Sequence, residues 1–211
     1  MIDIVRHIEA TQREVGRATT AAGDAHVIRL RRQYAAPIDD VWDALTNPDR
    51  IGRWFLPISG DLRPGGSFQF EGNAGGRILE CDRPNGLHVT WAYGEGDASD
   101  IQLRLSPVDA ERTTFELEHT AVVPDEMWEQ FGPGAVGVGW DGGFLGLALH
   151  LATGHTVDDP LSWALTDEGR AFHERSSQAW GDASLAAGAD PDAVARMVSN
   201  TTAFYTTAPE G

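Results

Sequence analysis

Few residues in this 211-residue chain have the type and spacing to do chemistry. Gly132-Pro133-Gly134-Ala135-Val136-Gly137 satisfies the pattern G-x-G-x-x-G. A dinucleotide loop needs a buried strand running straight into its first glycine, so that a helix N-terminus faces the pyrophosphate. Here the polar stretch 125–131 intervenes, and Pro133 removes one backbone donor. No nucleotide cofactor is expected. His150 and His155 lie five apart with Asp158 and Asp159 following, a poor spacing for one metal across a helix end. No metal is expected either. Glu116 and Glu118 share a strand face, but the outward one, where paired carboxylates serve solvation rather than proton transfer. G-x-S-x-G, P-loop and H-E-x-x-H patterns are absent. All 16 basic residues are Arg, which excludes lysine nucleophiles and Schiff bases.

The remaining polar candidates are His119, Tyr93 and Arg77, which strand alternation turns inward. His119 could be a ligand-facing donor or a general base, with Asp141 as its candidate partner. A buried, hydrogen-bonded histidine is the simpler explanation. No catalytic residue is assigned.

The elements that must position these groups are legible between 26 and 151. His26 to Tyr34 predicts a strand. Pro37 opens a helix in which Ile38, Val41, Trp42 and Leu45 recur at helical spacing. Asn47-Pro48 starts a second short helix with Trp54 and Phe55 beyond its end. Short alternating runs follow: Phe68 and Phe70; 77–81; Leu87, Val89, Trp91 and Tyr93; Ile101, Leu103 and Leu105; Phe115, Leu117 and His119. One-sided alternation predicts an antiparallel sheet covered on one face. After a polar loop, Pro133 to Leu151 predicts a long helix with Val136, Trp140, Phe144, Leu147 and Leu151 in one stripe, the obvious cover. Its many glycines either let it sit close to the sheet or leave empty volume beside Trp140 and Phe144. Thr166-Asp167-Glu168 and Asp190-Pro191 predict two helices in a docked tail. Residues 1–20 have room for another helix.

Acidic residues number 32, for a formal net charge of −16. That balance repels phosphate backbones, so nucleic acid is not an expected partner. Arg29, Arg31 and Arg32 form the one basic cluster and are expected on a solvated sheet edge. Cys81 is alone, which fits a reducing compartment. With no apolar signal core and no run approaching the ~18 apolar residues of a membrane span, a cytoplasmic protein without membrane insertion is expected. A homodimer is left open.

Certain words carry a resemblance. Residues 34–45, YAAPIDDVWDAL, and 47–57, NPDRIGRWFLP, come first. Gly65-Gly66-Ser67-Phe68, Thr90-Trp91 and Gly139-Trp140-Asp141 add to them. In this order they resemble the START-like (SRPBCC, birch-pollen-allergen-like) superfamily, and within it the bacterial homologues of the activator of heat-shock-protein-90 ATPase. The resemblance covers 26–151. It implies an α+β helix-grip fold: a curved antiparallel sheet of six to seven strands wrapped on one long helix, with two short helices after the first strand. Residues 1–25 then form an N-terminal extension and 152–211 a helical C-terminal extension. The resemblance also implies a cavity between sheet and helix, with lipid-, sterol- or polyketide-like ligands.

The leading expectation is non-catalytic binding of a small apolar molecule. Its expected site is Trp54, Phe68, Phe70, Trp91, Tyr93, Phe115, His119, Trp140, Phe144 and Leu147. A cyclase or hydrolase using His119 and Tyr93 in the same cavity is the first alternative. A stress-related or regulatory protein-interaction module is the second.

Overall fold

The computed structural model describes residues 2–94, 99–157 and 159–207. A short helix α1 (Ile4–Glu9) leads into a hairpin of β1 (Thr11–Thr20) and β2 (Gly23–Tyr34). The short helices α2 (Ile38–Thr46) and α3 (Pro48–Ile51) follow. Then come β3 (Ile58–Gly60), β4 (Ser67–Phe70), β5 (Gly75–Asp82), β6 (Gly86–Trp91), β7 (Ser99–Asp109) and β8 (Arg112–Ala121). The eight strands form one antiparallel sheet in the order β1-β2-β8-β7-β6-β5-β4-β3. The helices α4 (Asp125–Phe131), α5 (Gly134–Thr153), α6 (Pro160–Ala164), α7 (Asp167–Ala186) and α8 (Pro191–Thr206) complete the chain.

This is the helix-grip architecture, with one strand more than expected. Two strands lie outside the runs read from the sequence: the three-residue β3 and, in a segment with room for a helix, β1; only 4–9 are helical there. Consequently β2 is not an edge strand. Arg29 pairs with Glu118, and Arg32 is buried, donating to His7 Nδ1 at 2.9 Å. The polar loop after β8 contains α4, an exposed helix with no buried residue among 125–131.

Cross-strand pairs assemble the inner face. Val89 lies opposite Ile101, Leu103 opposite Leu117 and Leu105 opposite Phe115. On one face of an antiparallel pair such neighbours are the unit of stabilisation. They converge with α2 and α5 on the main core, which includes Leu30, Val41, Trp42, Phe115 and Phe144. Among the described helices α5 is long and apolar enough to cross a membrane by length and composition. Half of it is buried within the protein, because the sheet covers one side and α7 and α8 cover another. Hence its apolar residues do not fall in one stripe: Val138, Leu145 and Leu147 are all buried, while Val136 is exposed.

The C-terminal helices are set by local signals. Thr166 accepts from the Gly169 amide and Asp190 from the Ala193 amide, satisfying backbone donors that a helix start leaves open. Their docking explains several glycines of α5. A Cβ on Gly137 would stand 2.2 Å from Cε2 of Trp180, and one on Gly134 would stand 2.8 Å from Oγ1 of Thr201. Close packing therefore does account for part of the glycine run, but against the tail rather than the sheet.

Candidate functional site

A cavity of about 320 Å³ lies between the sheet, α5 and the elbow formed by α2 and α3. That is within the usual range for small-molecule sites, ~300–1,000 Å³. Its wall is built in layers by the strand alternation: Phe68 and Phe70 of β4, Ile78 of β5, Val89 and Trp91 of β6, Ile101 and Leu103 of β7, and Phe115 and Leu117 of β8. Trp140, Gly143 and Phe144 of α5 face them. Gly143 meets no atom within 4 Å of where a Cβ would stand, so its missing side chain is part of the open volume. The glycine run thus combines close packing against the C-terminal helices at Gly134 and Gly137 with open volume at Gly143.

Aromatic contacts hold this wall stiff. Trp91 and Trp140 approach to 5.1 Å between ring centroids, and Phe115 stacks on Phe144 at 4.9 Å. Phe55 meets Phe70 edge-on at 5.0 Å. Such pairs contribute ~0.5–1.5 kcal/mol each beyond the area they bury. The elbow closes one end. Asn47 caps α3 by accepting from the Asp49 amide, and Pro48 fixes its first turn. Trp54 is half-buried and donates from Nε1 to the Ala44 carbonyl at 2.9 Å, tying the elbow back to α2. The exposed side chains Leu62, Arg63, Pro64, Cys81 and Arg83 form the opposite rim.

Of the expected site residues, Trp54, Phe68, Phe70, Trp91, Phe115, Trp140 and Phe144 line the cavity. Three do not. Tyr93 is 64% exposed, because β6 ends at Trp91 and the chain turns away before the alternation can bring Tyr93 inward. Leu147 is fully buried in the core, one turn past the cavity-facing part of α5. His119 is buried beside the cavity, but its ring is already committed. Trp140 Nε1 donates to His119 Nδ1 at 3.1 Å. The hydrogen therefore sits on Nε2, which donates to Ser99 Oγ at 2.7 Å, and that hydroxyl donates on to the Trp91 carbonyl. Burial holds its pKa down to about 4. Neutral, and with its lone pair occupied, this imidazole is not poised as a base, and Ser99 receives a proton donor rather than an acceptor.

Asp141, the suggested partner of His119, lies elsewhere. Arg13 makes a two-pronged ion pair with it at 2.9 and 3.0 Å, and Ser176 and Trp180 donate to it as well. Burial pushes its pKa up, against the pull of those donors. Arg77 is exposed, reaching the Gly65 carbonyl. His150 is buried against Arg50, whereas His155 is exposed beyond the helix end, and Asp158 lies outside the described residues. Among the described residues no group of three or more His, Cys, Asp or Glu side chains could hold a metal. The G-x-G-x-x-G stretch follows helix α4, and Met197, Thr201 and Trp180 fill the space over its glycines.

Sequence reasoning missed Ile58 of β3 and, Trp54 apart, the elbow's share of the wall: Trp42, Leu45, Ile51 and Phe55. The stripe of Trp42 and Leu45 on α2 was the available signal.

A family profile described as "Activator of Hsp90 ATPase homolog 1-like protein" matches residues 35–149. Among solved structures, the crystal structure of CalU16 from Micromonospora echinospora is 38% identical. That match covers 82% of this chain and 98% of CalU16, with a TM-score of 0.65. The solution structure of CalU16 gives 37% identity over 86% and 97% of the two chains, with a TM-score of 0.67. EF2215 from Enterococcus faecalis shares the fold at 16% identity, over 86% of this chain and 95% of its own, with a TM-score of 0.59. No curated protein matches the chain.

Proposed function

The chain belongs to the activator of Hsp90 ATPase homolog 1-like family, and from that premise we propose that it binds a small hydrophobic molecule, without transforming it, in the cavity between sheet and α5. The observation that carries this reading is the roughly 320 Å³ volume walled almost wholly by apolar and aromatic side chains. Empty volume of this size in a core is costly, since lining groups forfeit their van der Waals contacts. A ligand of matching shape restores them.

The hydrogen bonds around His119 argue against a cyclase or hydrolase acting here. Nδ1 accepts from Trp140 Nε1, Nε2 donates to the Ser99 hydroxyl, and that hydroxyl donates to the Trp91 carbonyl. Two of the residues offered for acid–base work, His119 and Tyr93, do not line the cavity. A binding site needs only shape, apolar surface and a way in.

Native mass spectrometry of the freshly purified protein tests the proposal. A co-purified apolar molecule of defined mass, released by denaturation, is the expected result. Apolar fluorescent probes that neither bind nor perturb the emission of Trp54, Trp91 and Trp140 would overturn it, provided no co-purified species already fills the site.

A further inference from the structure

Among the described residues, the charges lining the cavity are of one sign. The molecule carries two acidic residues for every Arg, yet among the described residues the charged side chains lining the cavity are Arg63 and Arg83. Both stand at the rim. Arg63 sits in the connection between β3 and β4, and Arg83 in the turn between β5 and β6. Backbone hydrogen bonds between Gly65 and Ile78 and between Ile78 and Gly66 fasten the first of these connections to β5, which leads into the second.

Deeper in, the polar groups are already used. Trp54 Nε1 donates to Ala44, and Trp140 Nε1 donates to His119. A polar ligand atom placed there would be desolvated without a partner, a substantial penalty. Any polar end of the ligand is thus driven to the rim, where guanidinium groups wait on aliphatic stems that can themselves lie along apolar surface. Arg63 spends Nε on Asp61, which leaves its two terminal nitrogens available. Arg83 has no hydrogen-bonded partner among the described residues. Asp61 and Asp43 lie nearby, but neither lines the cavity.

We infer that the ligand is an anionic amphiphile: an apolar body held among the aromatic rings, ending in a carboxylate or similar small anion that meets Arg63 and Arg83 at the rim. Guanidinium groups suit this end because their planar fork matches a carboxylate in two-point contact. The inference rests on the binding function proposed above, and it adds the ligand's charge, its orientation and the residues that read it.

The test compares three probes with the same apolar chain: laurate, lauryl alcohol and lauryltrimethylammonium. Each is titrated below its micellar concentration by calorimetry and by tryptophan fluorescence. Three proteins are used: the native chain, the rim variant Arg63→Gln/Arg83→Gln, and the control Arg170→Gln/Arg196→Gln. The control removes the same charge from exposed positions on α7 and α8. Laurate is expected to bind the native chain and the control about fivefold or more tighter than the cationic probe, the scale of exposed ion pairs. In the rim variant that preference collapses, while lauryl alcohol binds all three proteins alike. A laurate preference that survives in the rim variant, or no preference in the native chain, overturns the head-group inference and leaves the cavity reading standing. Loss of alcohol binding in the rim variant also overturns it, since the arginines would then shape the cavity rather than read a charge. Failure of every probe to bind the native chain, once any co-purified ligand is removed, sinks the cavity reading and this inference together.

Discussion

His119 illustrates how one residue's role is settled by its neighbours rather than by its type. Nδ1 accepts from Trp140 and Nε2 donates to Ser99, so protonation would add a hydrogen where Trp140 already points one. Burial lowers its pKa from 6.5 to about 4. A depressed folded-state pKa contributes stability that is fully present above the unfolded value. That stability is lost as pH falls through the folded one. Between pH 7 and pH 4 the loss from this residue should be on the order of 3 kcal/mol. Urea denaturation at both pH values should show the wild type losing more stability than His119→Gln by that margin; equal losses would refute it. Two glycines of α5 make a second contrast. Gly137→Ala drives a methyl into the Trp180 ring, which is held by its bond to Asp141, and should cost ~1–3 kcal/mol. Gly143→Ala points into open volume and should gain ~1 kcal/mol from helix propensity while shrinking the cavity. Thermal melts of the two variants moving the same way would contradict the packing described. Strand alternation made most of the wall legible, because Phe68, Phe70, Trp91 and Phe115 each sit on the buried side of a paired strand. It failed for Tyr93, which lies just beyond the last paired residue, Ala92, and periodicity says nothing about where a ladder ends.

Among the elements, the elbow of α2 and α3 depends on tertiary contacts at its α3 end. Four residues of α3 cannot sustain a helix without tertiary contacts, despite the Asn47 cap and Pro48. Those contacts are Ile51, Trp54 and Phe55, all of which line the cavity. Trp54 is only half-buried, as a side chain at a movable mouth would be. Trp54→Ala should therefore cost less than the ~3–5 kcal/mol of a fully buried tryptophan. It should also speed uptake and release of an apolar probe, because an element of low local stability opens at little cost. Stopped-flow fluorescence and urea denaturation on the same variant decide the matter. A large stability loss with unchanged probe kinetics would make the elbow a plug. Besides the short β3 and α6, β1 and α4 escaped the sequence for opposite reasons. β1 is polar along most of its length, with Gln12, Arg13, Glu14 and Arg17, and joins the sheet through backbone pairing with β2 rather than by burying an apolar face. α4 buries none of its seven residues, so it carries no periodic signal to find.

Across the whole molecule, the two ends of the chain meet at one buried charge. Asp141 on α5 takes Arg13 from β1 and Ser176 and Trp180 from α7. Both members of the ion pair are almost completely excluded from solvent, with side chains 6% and 2% exposed. Sequence alone suggested a docked C-terminal tail and an N-terminal extension; this site makes both interlock with the cover helix of the cavity. The energetics of such a site are asymmetric. Replacing both charges by apolar groups of similar size is often nearly neutral, whereas removing one leaves the other buried without a counter-charge. Arg13→Met alone should therefore cost ~3–5 kcal/mol, and Asp141→Leu alone should cost as much or more because Ser176 and Trp180 also lose their acceptor. The double variant should recover a large part of that loss, although the orphaned Ser176 and Trp180 donors keep recovery incomplete. Hydrogen exchange gives the spatial readout. In Arg13→Met, protection should fall together in β1, in the middle of α5 and in α7, while β5 to β7 keep theirs. Strict additivity of the two substitutions, or loss of protection confined to β1, would mean that the termini dock independently and that this charge does not join them.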